Sequence, residues 1–128
     1  MSVKSLAVFT DRTRAIRGFH ALEYLAFSPT QQALAFGETI TRRKQFGPVK
    51  NRLIKRMPIG HLIRADCFVK ISVGLSTMYT MHESEKWMNV PNLYLDDASP
   101  KELILSGSLS DIERIVDLVE ALAQQVDE

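Results

Sequence analysis

A chain of 128 residues that is 45% apolar and carries 16 Lys/Arg against 15 Asp/Glu is too apolar for a disordered polymer, and its size suits one compact domain or two small helical lobes on a shared core. No apolar run approaches the roughly 18 residues of a membrane span, Leu6-Ala7-Val8-Phe9 is too short for a signal-peptide core, and the lone Cys67 excludes an intrachain disulfide or a multi-cysteine zinc site; a cytoplasmic protein is expected. The net charge of +1 conceals a split, since residues 1–64 hold 12 Lys/Arg and 3 Asp/Glu whereas residues 65–128 hold 4 and 12, and such asymmetry points to two surfaces with different partners.

In chain order, at most a short strand is expected near Val3 to Phe9. Ile16, Phe19, Leu22 and Leu25 then recur about every third residue, which predicts a helix over 13–27 with Arg14 and Arg17 in solvent. Ser28-Pro29-Thr30-Gln31 reads as a capping box opening a short helix to Phe36. Gly37 offers positive φ for a tight turn, and a second short helix is expected from Thr39 to Gly47-Pro48, which together make a helix-turn-helix candidate. From Pro58 to about Met81, Ile59, Leu62, Ile63, Val69, Val73 and Met78 predict a long helix buried around much of its circumference. A shorter helix over Glu83 to Met88 should end before Pro91. After an irregular stretch from Asn89 to Ala98, Ser99-Pro100-Lys101-Glu102 and Ser110-Asp111-Ile112-Glu113 read as two capping boxes separated by Gly107. The last helix carries Ile112, Ile115, Val116, Val119, Leu122 and Ala123 on one face. With no sustained alternation of period two, the fold expected is an all-α helical bundle, with a basic helix-turn-helix-like part over 1–57 and a second helical part over 58–128.

Between Arg42 and Arg56 there are seven positive side chains and no acidic one, a pattern more suited to phosphate contact than to a mixed solvated face. A helix-turn-helix would send Thr41, Arg42, Arg43 and Lys44 toward the major groove, with Lys50, Arg52, Lys55 and Arg56 holding the flanking backbone. Operator DNA is thus one expected partner, and symmetric half-sites would call for a homodimer.

The most specific stretch is Lys86-Trp87-Met88-Asn89-Val90-Pro91-Asn92-Leu93-Tyr94-Leu95, followed by Asp96-Asp97-Ala98-Ser99-Pro100-Lys101-Glu102-Leu103-Ile104-Leu105. It resembles the C-terminal toxin-binding domain of the Xre/MbcA/ParS antitoxins, in which a tryptophan-containing helix end leads into Pro-Asn, a short loop, a Pro-x-Glu-Leu helix and a final amphipathic helix. Trp87, Pro91, Asn92, Leu95, Pro100, Leu103, Ile115 and Val116 stand where that pattern wants them. Upstream, Thr39-Ile40-Thr41-Arg42-Arg43-Lys44 is similar to the family's recognition helix, although the segment between Gly37 and Thr39 is short for the usual turn. Asp96-Asp97 replaces the family's frequent Gly-Gly, and Asp tolerates left-handed φ better than most residues. The resemblance implies an antitoxin of a type II toxin-antitoxin pair that also represses its own operon. The implied partner is a toxin, typically a RES-domain protein acting on or using NAD, in a toxin-antitoxin hetero-oligomer. Its contact would be the acidic face of the last helix and the tail: Glu113, Asp117, Glu120, Gln124, Gln125, Val126, Asp127 and Glu128. Read physically, Trp87 anchors the last helices to the long one with its indole N–H on a carbonyl, and Asn92 closes a turn.

Other chemistries are less well supplied. Gly18-Phe19-His20-Ala21-Leu22-Glu23 resembles the Gly-x-His-x-x-Glu motif of imelysin-like proteins, yet two ligands do not make a metal site, and His61 and His82 each stand alone. Cys67 lies beside Asp66 rather than a cation, which favours a buried thiol over a nucleophile. No phosphate-cradling glycine loop, carboxylate pair or serine elbow is evident, so no cofactor and no enzymatic activity are expected. Two alternatives remain: a stand-alone helix-turn-helix regulator whose C-terminal half only dimerises, and an inhibitor or adaptor whose basic face meets an acidic protein.

Overall fold

A computed structural model describes residues 9–106 and 108–127, with Val126 and Asp127 described by backbone alone. The strand expected from Val3, apart from Phe9, lies outside those residues, as do Gly107 and Glu128. The described residues form seven α-helices and no strand, and none of the helices is long and apolar enough to cross a membrane. The helices are α1 Asp11–Tyr24, α2 Pro29–Ala35, α3 Phe46–Lys55, α4 Ile59–Ser76, α5 Met81–Asn89, α6 Pro100–Ser106 and α7 Leu109–Asp127, with one 3-10 turn at Leu93–Leu95.

Capping explains most of the boundaries. Thr10 accepts from the Thr13 backbone N–H and starts α1 two residues earlier than the apolar spacing suggests. The box at Ser28 forms as expected, with Ser28 Oγ and Gln31 Oε1 each satisfying the other's backbone N–H. The box at Ser99 does the same with Glu102. Other boundaries also differ from expectation, and α1 ends at Tyr24 rather than Phe27. Thr80 and Glu83 form a capping box that starts α5 at Met81, so α4 stops at Ser76 rather than running on to Met81. The last helix starts at Leu109, because Ser108 rather than Ser110 accepts from the Asp111 N–H.

Helix α4 is the spine. It packs along both α1 and α7, and one buried core runs from Ala15 to Val119 through both halves of the chain. The buried face of α4 is Leu62, Ala65, Cys67, Phe68, Ile71 and Leu75; of the residues expected inside, Leu62 is buried and Val69 and Met78 pack partly buried against the core, whereas Ile59, Ile63 and Val73 are exposed. Small residues decide this. A Cβ on Gly18 would sit 2.5 Å from the Ala65 Cβ, and one on Gly74 would collide with the Val119 side chain, so α1 and α7 approach α4 at its smallest positions. The closest faces of α4 are therefore its small ones, which turns Ile59, Ile63 and Val73 outward. Arg14 crosses the same α1–α4 seam to make a forked contact with Asp66, at 3.3 Å through Nε and 2.7 Å through Nη2; it is not the solvent residue that its place on α1 suggested. Phe19, Phe36 and Phe68 fill the middle, with ring centroids 4.8 and 5.2 Å apart in successive pairs.

Two helix ends adopt the same reversal with different residues. After α2, Gly37 takes φ 77° while the Glu38 N–H bonds back to the Ala33 carbonyl. After α1, Ala26 occupies the equivalent left-handed position at φ 66°, where glycine is usual, and the Phe27 N–H reaches the Leu22 carbonyl. Lys101 of α6 covers this strained turn, donating to the Ala26 carbonyl at 3.3 Å and lying 4.8 Å from the centre of the Phe27 ring.

Candidate functional site

The basic stretch does not form the helix expected of it. Residues 39–45 are non-helical, and α3 begins at Phe46, so Gly47-Pro48 lies in the first turn of a helix instead of ending one. The physical reason is local. A proline fits only the first turn, and Thr41 closes a tight turn on itself: its Oγ1 accepts from the Arg43 and Lys44 N–H groups at 3.2 and 3.0 Å, while the Thr41 and Lys44 backbones bond to each other. Helices α2 and α3 do pack together, but across a long loop rather than a tight turn. Thr41, Arg42, Arg43 and Lys44 thus lie on an exposed loop, not at the start of a recognition helix.

Much of the positive charge has an internal use. Glu38 accepts from Arg52 at 2.7 Å and lies 3.3 Å from Lys44 Nζ and 3.4 Å from His61 Nε2, whose ring stacks on Phe36. His61 is therefore not alone; a carboxylate distant in sequence meets it. Partial burial pushes the Glu38 carboxyl up, but the hydrogen bonds from Arg52 and Lys44 outweigh it and hold the group below its ordinary range. Lys50 lies 5.4 and 5.8 Å from the centres of the Phe19 and Phe46 rings and serves the core. Arg42, Arg43, Lys55 and Arg56 are exposed, and among the described residues they have no carboxylate within ion-pair distance.

The acidic half is organised differently. Glu113, Asp117, Glu120 and Gln124 fall at helical spacing on one exposed stripe of α7, and none of the three carboxylates has an ion-pair partner among the described residues. Gln125 is exposed beside them, whereas the side chains of Val126 and Asp127, and all of Glu128, lie outside the described residues. Glu120 and Gln124 also edge an open groove of about 1000 Å³ between α1, α4 and α7, whose far wall carries Arg17 and Lys70.

Before α6 the chain makes a compact knuckle. Asn92 Oδ1 accepts from the Tyr94 N–H at 2.9 Å, the Asn92 carbonyl accepts from Leu95 and Asp97, and the Asn92 N–H reaches the Ala98 carbonyl. Asn92 closes a turn as expected, and Asp96 and Asp97 both take left-handed φ, 56° and 67°. Leu95 is buried, while Leu93 and Tyr94 are 79% and 74% exposed. In α5 Ser84 and Met88 are fully buried; Trp87 packs partly buried against the core, and its indole N–H has no hydrogen-bond acceptor among the described residues. Ser84 and Met88, four apart, define the inward face, and Trp87 flanks it.

The remaining candidates resolve simply. His20 and Glu23 are exposed on α1, and among the described residues no group of His, Cys, Asp or Glu could hold a metal. Cys67 is buried, and burial pushes its thiol up, with Glu113 adding to the effect. Two features escaped the sequence reading. Glu38 lies just outside the all-positive window, and the outward pair Leu93-Tyr94 looked like any apolar dipeptide; the Asn-x-x-Leu spacing of a one-turn 3-10 helix is the signal that would have separated Leu95 from its neighbours. Against known proteins, the chain matches no family model, no curated sequence and no solved structure.

Proposed function

We infer that this protein is the antitoxin of a type II toxin-antitoxin pair, whose acidic C-terminal half binds and blocks a toxin enzyme. The observation that carries the reading is the uncompensated stripe on α7. Glu113 and Asp117 are four apart, Asp117 and Glu120 three apart, and like charges at these spacings cost a helix about 0.2–0.5 kcal/mol per pair. A helix that keeps this repulsion, with no ion-pair partner for these carboxylates among the described residues, gains when a cationic surface covers it, as the cleft of an enzyme acting on an anionic nucleotide such as NAD would. The order of elements from α5 through the Pro91-Asn92 turn to α6 and α7 also supports the reading, because it is the order that the resemblance implies. Co-expression with the product of the adjoining gene tests it. The two proteins should co-purify and growth should be rescued; failure of both removes the reading.

Autorepression is the second part of the proposal. Arg42, Arg43, Lys55 and Arg56, exposed and without an ion-pair partner among the described residues, suit phosphate contact rather than base readout by an inserted helix. Gel shifts on the upstream promoter should weaken steeply with salt, and Arg42→Ala with Arg43→Ala should lower the logarithmic salt slope by about two. Operator binding then calls for a homodimer or a toxin-bridged assembly. A stand-alone regulator is the alternative, favoured if promoter binding is tight while no toxin associates.

A further inference from the structure

The geometry points to the Leu93-Tyr94 knuckle as the anchor of the protein-protein contact, its occupant being a partner surface that carries an apolar socket rimmed by Arg or Lys. This rests on the reading above and names where, outside the α7 stripe, the partner is gripped. Three observations carry it. First, the two side chains are the most exposed large hydrophobic residues among those described, and they are adjacent. Adjacent outward Leu and Tyr make one contiguous apolar spot, and Tyr is a typical binding anchor.

Second, the knuckle is rigid and strained. A 3-10 turn has about three residues per turn, so burying Leu95 forces Leu93 and Tyr94 outward. Two consecutive aspartates in left-handed conformation then return the chain to α6, where non-glycine residues carry a conformational cost. Arg114 of α7 braces the result, donating to the Tyr94 carbonyl at 3.5 Å and to Asp96 Oδ2 at 3.3 Å. A loop held in this way presents its two apolar groups without an ordering penalty on binding.

Third, the surroundings choose the partner's charge. Asp96 and Asp97 are exposed beside the pair, and Asp111 lies 3.6 Å from Arg114, which leaves three carboxylates against one guanidinium. A basic rim around an apolar socket complements that arrangement.

The test measures binding of the purified full chain to the adjoining gene's product. Leu93→Ser with Tyr94→Ser should weaken binding at least about 30-fold. The thermal melt should stay unchanged, because both side chains are already in water. Asp97→Asn, which keeps the left-handed backbone and removes the rim charge, should weaken binding by a smaller factor that shrinks with added salt. Wild-type binding with an unaffected Leu93→Ser/Tyr94→Ser variant overturns the anchor and leaves the antitoxin reading standing, whereas absence of wild-type binding overturns both. If the isolated protein self-associates and the double variant abolishes that association instead, the knuckle is a contact between copies of this chain and the proposal is wrong.

Discussion

Around Glu38, the chain collects opposite charges that are far apart in sequence; along α7, it strings like charges on one face with no ion-pair partner among the described residues. The first region spends its cations inward, since Lys44 and Arg52 hold a carboxylate and Lys50 covers aromatic rings. The second exposes Glu113, Asp117 and Glu120 beside a strained loop that displays Leu93 and Tyr94. The contrast teaches that a surplus of charge is not itself a binding surface. What matters is whether the fold has already neutralised it: Lys44, Lys50 and Arg52 are engaged internally, whereas Glu113, Asp117 and Glu120 have no ion-pair partner among the described residues.

The largest expected effect breaks the seam that both regions share. Gly18→Ala places a methyl group against the Ala65 backbone and side chain, and should cost about 1–3 kcal/mol in urea unfolding despite the better helix propensity of alanine. Gly74→Ala meets only a valine side chain and should cost less.

Next comes the basic region. Glu38→Gln should destabilise by about 1 kcal/mol, because half-exposed Arg52 and Lys44 lose their carboxylate. Since the folded carboxyl titrates below its ordinary value, its stabilisation is complete above roughly pH 4.5, the ordinary range for Glu, and is lost as pH falls through the lower folded value. Thermal melts of wild type and Glu38→Gln should therefore be fully separated above about pH 4.5 and converge as pH falls through the lowered folded value; parallel curves would remove Glu38 from its organising role.

In the acidic region, backbone strain and charge act separately. Asp97→Val puts a β-branched residue at φ 67° and should cost about 1–2 kcal/mol by denaturant titration, whereas Asp97→Gly should be tolerated. The smallest effect has the opposite sign. Asp117→Asn should stabilise the free protein by about 0.3–0.5 kcal/mol by relieving the α7 stripe. Loss of a carboxylate would thus weaken one region and strengthen the other; two destabilising outcomes would erase the distinction drawn between them.

Several of these features were legible residue by residue. The boxes at Ser28 and Ser99, the turn at Asn92 and the left-handed aspartates depend on neighbours within a few positions, so local chemistry announces them. The apolar face of α7 was equally plain, with Ile112, Ile115, Val116 and Val119 all buried. The exposed α4 residues Ile59, Ile63 and Val73 were misread because hydrophobic periodicity reports apolar character, not which side of a wide stripe meets a neighbour. The second helix of the basic region was misplaced for a related reason: its cations suggested a recognition helix, while Thr41 and Pro48 carried the stronger backbone constraints.

Side-chain chemistry acting over one or two turns was enough to fix the all-helical class, the caps at Ser28 and Ser99 and the division of charge. Tertiary structure decided the rest. Gly18 and Gly74 let α1 and α7 settle onto α4 and so chose its buried face; Glu38 reached Arg52 and His61 only once α2, α3 and α4 were packed. Leu95 entered the core, so Leu93 and Tyr94 stayed outside. Each of these outcomes depends on contacts between residues distant along the chain, and a local pattern carries no term for them.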